Sequence, residues 1–181
     1  MLTVICGGMF SEKSTELQRR GKRLKRAGKK VVYFKPDIDN RYSENEIVTH
    51  DGFKVPAINI PVDSPSRLIA KEFEDVDVFL LDEIQFFSIA VVNVIEVLLE
   101  FGKQVIVAGL DLDSNGSPFV VTAGLMAKAE HVVKLHAVCA DCGQDSWVTY
   151  KENKVQKIEI GTDGYKPLCR KCFNNKTKGG Y

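Results

Sequence analysis

Residues 2–15 read Leu-Thr-Val-Ile-Cys-Gly-Gly-Met-Phe-Ser-Glu-Lys-Ser-Thr. Five apolar or β-branched residues run into Gly7-Gly8, and a stretch with helical character takes over at Ser14. A buried strand, a glycine turn and a helix in that order suit an anion, because the free N–H groups of the first helical turn point at it. The phosphate-loop pattern G-x-x-x-x-G-K-[ST] is met at Gly7, Lys13 and Ser14. It is broken at Glu12, which stands at the second glycine position. Lys13 is placed to reach the β- and γ-phosphates of ATP and Ser14 to hold Mg²⁺. Gly8, Met9, Phe10, Ser11 and Glu12 complete the loop around the anion. A carboxylate about 5 Å from a phosphate repels it by roughly 3 kcal/mol at an effective dielectric of about 20. A side chain facing water feels much less. On these residues alone, an ordinary strand–turn–helix without nucleotide stays open.

Downstream, apolar runs and helical stretches alternate. A helix is predicted over residues 14–27, stopped at Gly28, and a strand over 30–34 that ends before Pro36. Residues 36–53 are polar and read as a long surface loop. A strand over 55–60 follows, then a helix over 65–73 with Ser64 as its N-cap and Pro65 at its first position. The run 76–81, the helical stretch 89–100 and the run 104–109 complete the pattern. Strands separated by helices imply an α/β fold with a mainly parallel sheet, whose doubly covered strands read as continuous apolar runs. From His131 the character changes to short strand-like runs between cysteine pairs. The chain is therefore divided into residues 1–130, a nucleotide-binding α/β domain, and 131–181, a metal-binding module.

Two further features carry chemistry. Asp82-Glu83 follows an apolar run and so falls at the carboxyl edge of a parallel sheet, where such folds bind ligands. One carboxylate there can partner Mg²⁺ and the other can take a proton from a substrate hydroxyl. Cys139-x₂-Cys142 and Cys169-x₂-Cys172 are two knuckles 26 residues apart, the spacing of a structural Zn²⁺ site with no open position for catalysis. Cys6 stands outside that set and reads as a small buried residue.

The chain has 181 residues, 44% of them hydrophobic, and a formal net charge of +1. That near-neutrality gives no global reason for a nucleic-acid or anionic-membrane partner. No apolar run reaches spanning length and no signal peptide is evident, so a cytoplasmic location is expected. The basic block Arg19, Arg20, Lys22, Arg23, Lys25, Arg26 reads as a solvated or subunit-contacting helix face. His50, His131 and His136 read as structural or surface residues, and Trp147 has no evident role.

Taken together, the segments 7–15, 39–43, 49–51, 82–87 (Asp-Glu-Ile-Gln-Phe-Phe), 109–111 (Gly-Leu-Asp), 132–139 and 169–172 (Cys-Arg-Lys-Cys) resemble the type II, zinc-containing thymidine kinases in order and spacing. The resemblance runs from residue 2 to about 173. It implies a RecA-like phosphate-loop sheet with a zinc-ribbon-like lasso module. It also implies transfer of the ATP γ-phosphoryl group to the 5′-hydroxyl of thymidine or deoxyuridine. Glu83 matches the family's catalytic base, and Asp82 a position near the metal. Gln85 lies in the nucleotide-contacting stretch, and Arg41 matches an arginine that reaches the phosphates. Met9, Phe86, Leu110 and Thr149 match the nucleoside pocket. The lasso that closes on the base corresponds to Ile158, Glu159, Ile160, Gly161 and Thr162, with Tyr165 beyond them. The resemblance further implies a homotetramer and feedback inhibition by thymidine triphosphate.

This chain departs from the family at three places. Glu12 replaces the loop glycine, Ile84 follows the acidic pair where glycine is frequent, and Ser114 stands where many members place a base-stacking phenylalanine. Glu12 keeps open a catalytically impaired relative that still binds nucleoside or nucleotide. The knuckles and the basic helix keep open a zinc-ribbon ATPase acting on nucleic acid, opposed by the near-zero charge and the lack of interleaved aromatics.

Overall fold

In a computed structural model, residues 1–39, 45–49, 51–152 and 164–177 are described. The apolar runs become strands because each is covered on both faces. β1 (Leu2–Gly7) is buried along its whole length. It is followed by α1 (Lys13–Arg26), β2 (Val31–Pro36), β3 (Glu46–Val48), β4 (Lys54–Pro56), β5 (Ile58–Ile60) and β6 (Val78–Leu81). Next come α2 (Ala90–Glu100), β7 (Gln104–Gly109), α3 (Val120–Lys128) and β8 (His131–Leu135). β9 (Val148–Lys151), β10 (Tyr165–Leu168) and α4 (Arg170–Thr177) close the order.

Six strands form one sheet in the order β5-β2-β6-β7-β1-β8, and every neighbouring pair in it is parallel. β7 thus separates the strand that ends in the phosphate loop from the strand that ends in Asp82-Glu83, which is the RecA-like order. Leu17 and Leu24 of α1 pack on one face with Ile5, Tyr33, Leu80 and Ile106. Val91, Ile95 and Leu98 of α2 and Val121 and Leu125 of α3 pack on the other with Val4, Phe79, Leu81 and Val107. Both carboxyl-edge loops are thereby held between helix layers. β8, the first strand beyond residue 130, is hydrogen-bonded to β1 within this sheet.

Several expectations need correction. The stretch 36–53 is not all loop: β3 pairs antiparallel with β4, and Ile47 is buried beneath them. The single strand expected over 55–60 is two, because Ala57 breaks it and β5 alone joins the main sheet. The helix expected over 65–73 is two 3₁₀ turns, Pro65–Ile69 and Lys71–Phe73, interrupted by the extended backbone of Ala70. Ser64 precedes Pro65 as expected but makes no side-chain capping bond. Helix α1 stops as read, with Gly28 left-handed at φ 78°.

The C-terminal module is a two-stranded hairpin of β9 and β10 with α4 beside it. Its core is small: Cys139, Val148, Leu168 and Phe173 are buried, with Trp147 and Tyr150 against them.

Candidate active site and metal centre

The phosphate loop bends through two non-glycine left-handed residues, Phe10 at φ 66° and Glu12 at φ 61°. Left-handed residues among right-handed ones turn successive N–H groups toward one point, which is an anion-binding concavity. Glu12 is the N-cap of α1 and adopts the conformation that the missing glycine would supply. Its side chain is exposed, so the carboxylate faces water and not the loop's interior. Lys13 is buried, and its Nζ donates to the Gly8 carbonyl at 2.6 Å. Ser11 Oγ donates to the same carbonyl at 2.8 Å.

Asp82 directly follows β6 and lies 4% exposed beside the loop. Its Oδ2 accepts the Ser14 hydroxyl at 2.7 Å, and its Oδ1 accepts the Glu83 N–H at 3.0 Å. Burial, and after it the neighbouring Glu83 charge, pushes the Asp82 carboxyl up to about 7, against the opposing pull of the Ser14 hydroxyl. Glu83 is left-handed at φ 50° and ψ 42°, a conformation that non-glycine residues keep only when their surroundings impose it. Gln85 is one of those surroundings. Its Nε2 donates to Glu83 Oε2 at 2.5 Å, and its Oε1 accepts the Leu110 N–H at 3.0 Å. The buried Gln85 amide thus ties Glu83 to the end of β7.

The C-terminal module reaches this site through Thr149. Its Oγ1, on a residue 3% exposed, accepts the Met9 N–H at 2.8 Å. Gly8 is needed there, since a methyl on it would stand 2.8 Å from the same oxygen. Phe86 and Leu110 are half-buried, Phe86 within the 3₁₀ turn Ile84–Phe86 and Leu110 just past β7. Phe87 is buried core. Tyr165 pairs with Lys151 in the β9–β10 register, one pair outward of Lys166–Tyr150 and two from Thr149–Pro167. The Lys151 ammonium lies 4.8 Å from its ring centre. Arg41, Ile158, Glu159, Ile160, Gly161 and Thr162 lie outside the described residues.

The four knuckle cysteines converge as their spacing implies. The Sγ atoms of Cys139, Cys142, Cys169 and Cys172 lie within 4.8 Å of one another, and Cys142 and Cys169 are 3.6 Å apart. Tetrahedral Zn²⁺ with Zn–S of about 2.3 Å requires sulfurs about 3.8 Å apart, so this donor set fits the ion. Cys172 N–H points at Cys169 Sγ from 3.5 Å. Cys6 is remote from them and buried; burial, and after it the Asp111 charge, pushes its thiol up to about 11.

One site residue was visible in the sequence only as part of the Gly-Leu-Asp motif. Asp111 follows β7 and is 5% exposed, with the Lys134 ammonium 2.9 Å from its Oδ2. That contact has ion-pair distance without hydrogen-bond angle, and among the described residues neither carboxylate oxygen has a hydrogen-bond partner. The available signal was an acidic residue directly after an apolar strand, as at Asp82.

A sequence model of the thymidine kinase family matches residues 1–173. The chain belongs to the thymidine kinase family. Among solved structures, AMPPCP-bound DnaA from Aquifex aeolicus is 20% identical over 74% of this family member and 40% of that chain, with a TM-score of 0.45. A DNA replication initiation factor is 18% identical over 74% of this chain and 39% of that one, with a TM-score of 0.44. This thymidine kinase family member therefore spans about 40% of the length of those structures. Among its described residues, no helix is long and apolar enough to cross a membrane.

Proposed function

We propose that this family member transfers the γ-phosphoryl group of ATP to the 5′-hydroxyl of thymidine, and of deoxyuridine, in nucleotide salvage. The observation that carries the reading is the 2.7 Å bond between Ser14 of the phosphate loop and Asp82 of the acidic pair, with Glu83 next in chain. It brings the two motifs together as one site. Lys13 and the N–H groups at the start of α1 bind and neutralise the phosphates. Ser14 and Asp82 are the residues that would hold Mg²⁺, which when bound draws charge from the β- and γ-phosphates. Glu83 takes the proton of the 5′-hydroxyl as that oxygen bonds to the γ-phosphorus. The bond to the β,γ-bridging oxygen breaks and ADP leaves. Gln85 holds the Glu83 carboxylate, and Arg41 is assigned to the phosphates from the family motif.

Met9, Phe86, Leu110 and Thr149 form the nucleoside pocket in this proposal, with Ile158, Glu159, Ile160, Gly161, Thr162 and Tyr165 closing it. Zn²⁺ on the four cysteines is structural. The assembly is a homotetramer, inhibited by thymidine triphosphate, in the cytoplasm. The exposed side chain of Glu12 favours an active enzyme over an impaired relative.

The test is an assay of monophosphate formation with Mg·ATP and each common nucleoside, followed by Glu83→Gln. Thymidine monophosphate is the expected product, and the substitution should lower turnover by about 10²–10⁴-fold with thymidine binding retained. Undiminished turnover in Glu83→Gln would remove it as the base, and failure with every nucleoside would remove the kinase reading.

A further inference from the structure

Trp147 is the only tryptophan of the chain, and it lies between the cysteine cluster and the loop that follows β7. On the cluster side, the Arg170 guanidinium covers its ring at 3.9 Å from the centroid. Arg170 sits inside the second knuckle, between Cys169 and Cys172. Phe173 meets the indole edge-on, with ring centres 5.4 Å apart, and the Trp147 N–H bonds to the Leu168 carbonyl at 2.8 Å.

The rim of the six-membered ring lies close to Gly116. A methyl built there would stand 2.6 Å from Cη2 and 3.3 Å from Cζ2 of the indole. Gly116 is also left-handed at φ 84°, so a side chain is excluded by both space and backbone.

Gly116 belongs to a loop tied together by its own hydrogen bonds. Asp113 Oδ1 accepts the N–H groups of Asn115 and Ser117, both at 2.9 Å. Asp113 N–H bonds to the Ser117 carbonyl at 2.8 Å, and Gly116 N–H to the Asp113 carbonyl at 3.0 Å. Leu112 and Pro118 are bridged below them. The loop carries Ser114 at its tip and begins beside Leu110, whose N–H is bound by Gln85.

We propose that Trp147 is a positioning residue that transmits the state of the zinc site to the nucleoside pocket. The knuckle fixes Arg170 and Phe173, these fix the indole, and the indole seats the 111–118 loop through Gly116. The pocket assignment rests on the proposed function; the mechanical coupling does not.

The experiment has two arms on the zinc-loaded full chain. The first is amide hydrogen exchange over residues 112–118 in the parent, in the parent after chelation, in Trp147→Leu and in Gly116→Ala. Each of the last three should exchange about tenfold faster there than the parent. Gly116→Ala replaces no residue of the module's core and none of its cysteines, so it decides the matter if Trp147→Leu loses its metal. Unchanged exchange in zinc-loaded Gly116→Ala would overturn the coupling whether or not the chain is a nucleoside kinase. The second arm is steady-state kinetics of Gly116→Ala. Nucleoside KM should rise about fivefold to tenfold with ATP KM and kcat near the parent values, since only nucleoside contacts are disturbed. Faster exchange with equal effects on both substrates would overturn the transmission to the nucleoside pocket. A parent that phosphorylates no nucleoside would instead count against the proposed function, leaving the exchange result to stand on its own.

Discussion

Glu12 is the residue that sequence reasoning treats as most damaging, and its backbone and side chain have separate consequences. A left-handed glutamate costs about 1 kcal/mol or more relative to glycine, while its exposed carboxylate is screened from bound phosphates. Glu12→Gly should therefore raise unfolding free energy by about 1 kcal/mol in urea melts, and ATP KM should change by no more than about twofold. A tenfold fall in KM would show that the carboxylate does reach the phosphates. Lys13, Ser14, Asp82 and Glu83 were legible because their chemistry is carried by neighbours in sequence. The Gln85 contacts were not, since its partner Leu110 lies 25 residues away on another strand. The Met9–Thr149 bond spans 140 residues; only the family resemblance placed both at one pocket. Thr149→Val should leave the half-buried Met9 N–H without its acceptor. That costs roughly 1–3 kcal/mol, readable as weaker nucleotide binding or lower stability.

At the scale of elements, apolar runs announced β1, β2, β6 and β7 because a sheet covered on both faces needs nothing else of its strands. Helix α3 went unread: Val120-Val121-Thr122 favours strand by its β-branching, and Gly124 interrupts the pattern. It forms because the face bearing Val121 and Leu125 is needed over the sheet. The 65–73 segment errs the other way, with good local helix signals overridden at Ala70. Helix α1 carries a pH-dependent device in its first two turns. Glu16 is held at about 2 by the Arg19 guanidinium first and by Arg20, against the opposing effect of burial. Its folded pKa is below the ordinary glutamate value of 4.5, so its stabilisation is present above that value and is lost as pH falls toward 2. Glu16→Gln should remove that part of the acid sensitivity, seen as a smaller drop in melting temperature between neutral and acidic buffer. The Asp111–Lys134 pair joins the ends of β7 and β8 across β1. Lys134→Met should cost about 1–3 kcal/mol by leaving a buried carboxylate without its half-exposed partner, with much of the loss recovered in the double variant with Asp111→Asn.

For the molecule as a whole, the sequence pattern conveyed an α/β sheet followed by a cysteine module, but not how they share the site. The module's buried core consists of Cys139, Val148, Leu168 and Phe173, too little apolar burial to order the hairpin without a metal. Chelation should therefore melt the module in a separate transition at lower temperature than the sheet, visible as two calorimetric peaks where the metal-loaded protein has one. The strand order has a consequence for how the chain is made. β1 pairs with residues 105–109 on one side and 131–135 on the other, so its nearest partner is about a hundred residues away. At roughly 5–20 residues per second of synthesis, a strand that is wholly buried in the fold waits several seconds at the ribosome with both edges open. The phosphate loop is then translated well before the two strands that flank β1. A translation pause placed between β6 and β7 would lengthen that exposure, whereas one placed after β8 would fall once both neighbours of β1 are available.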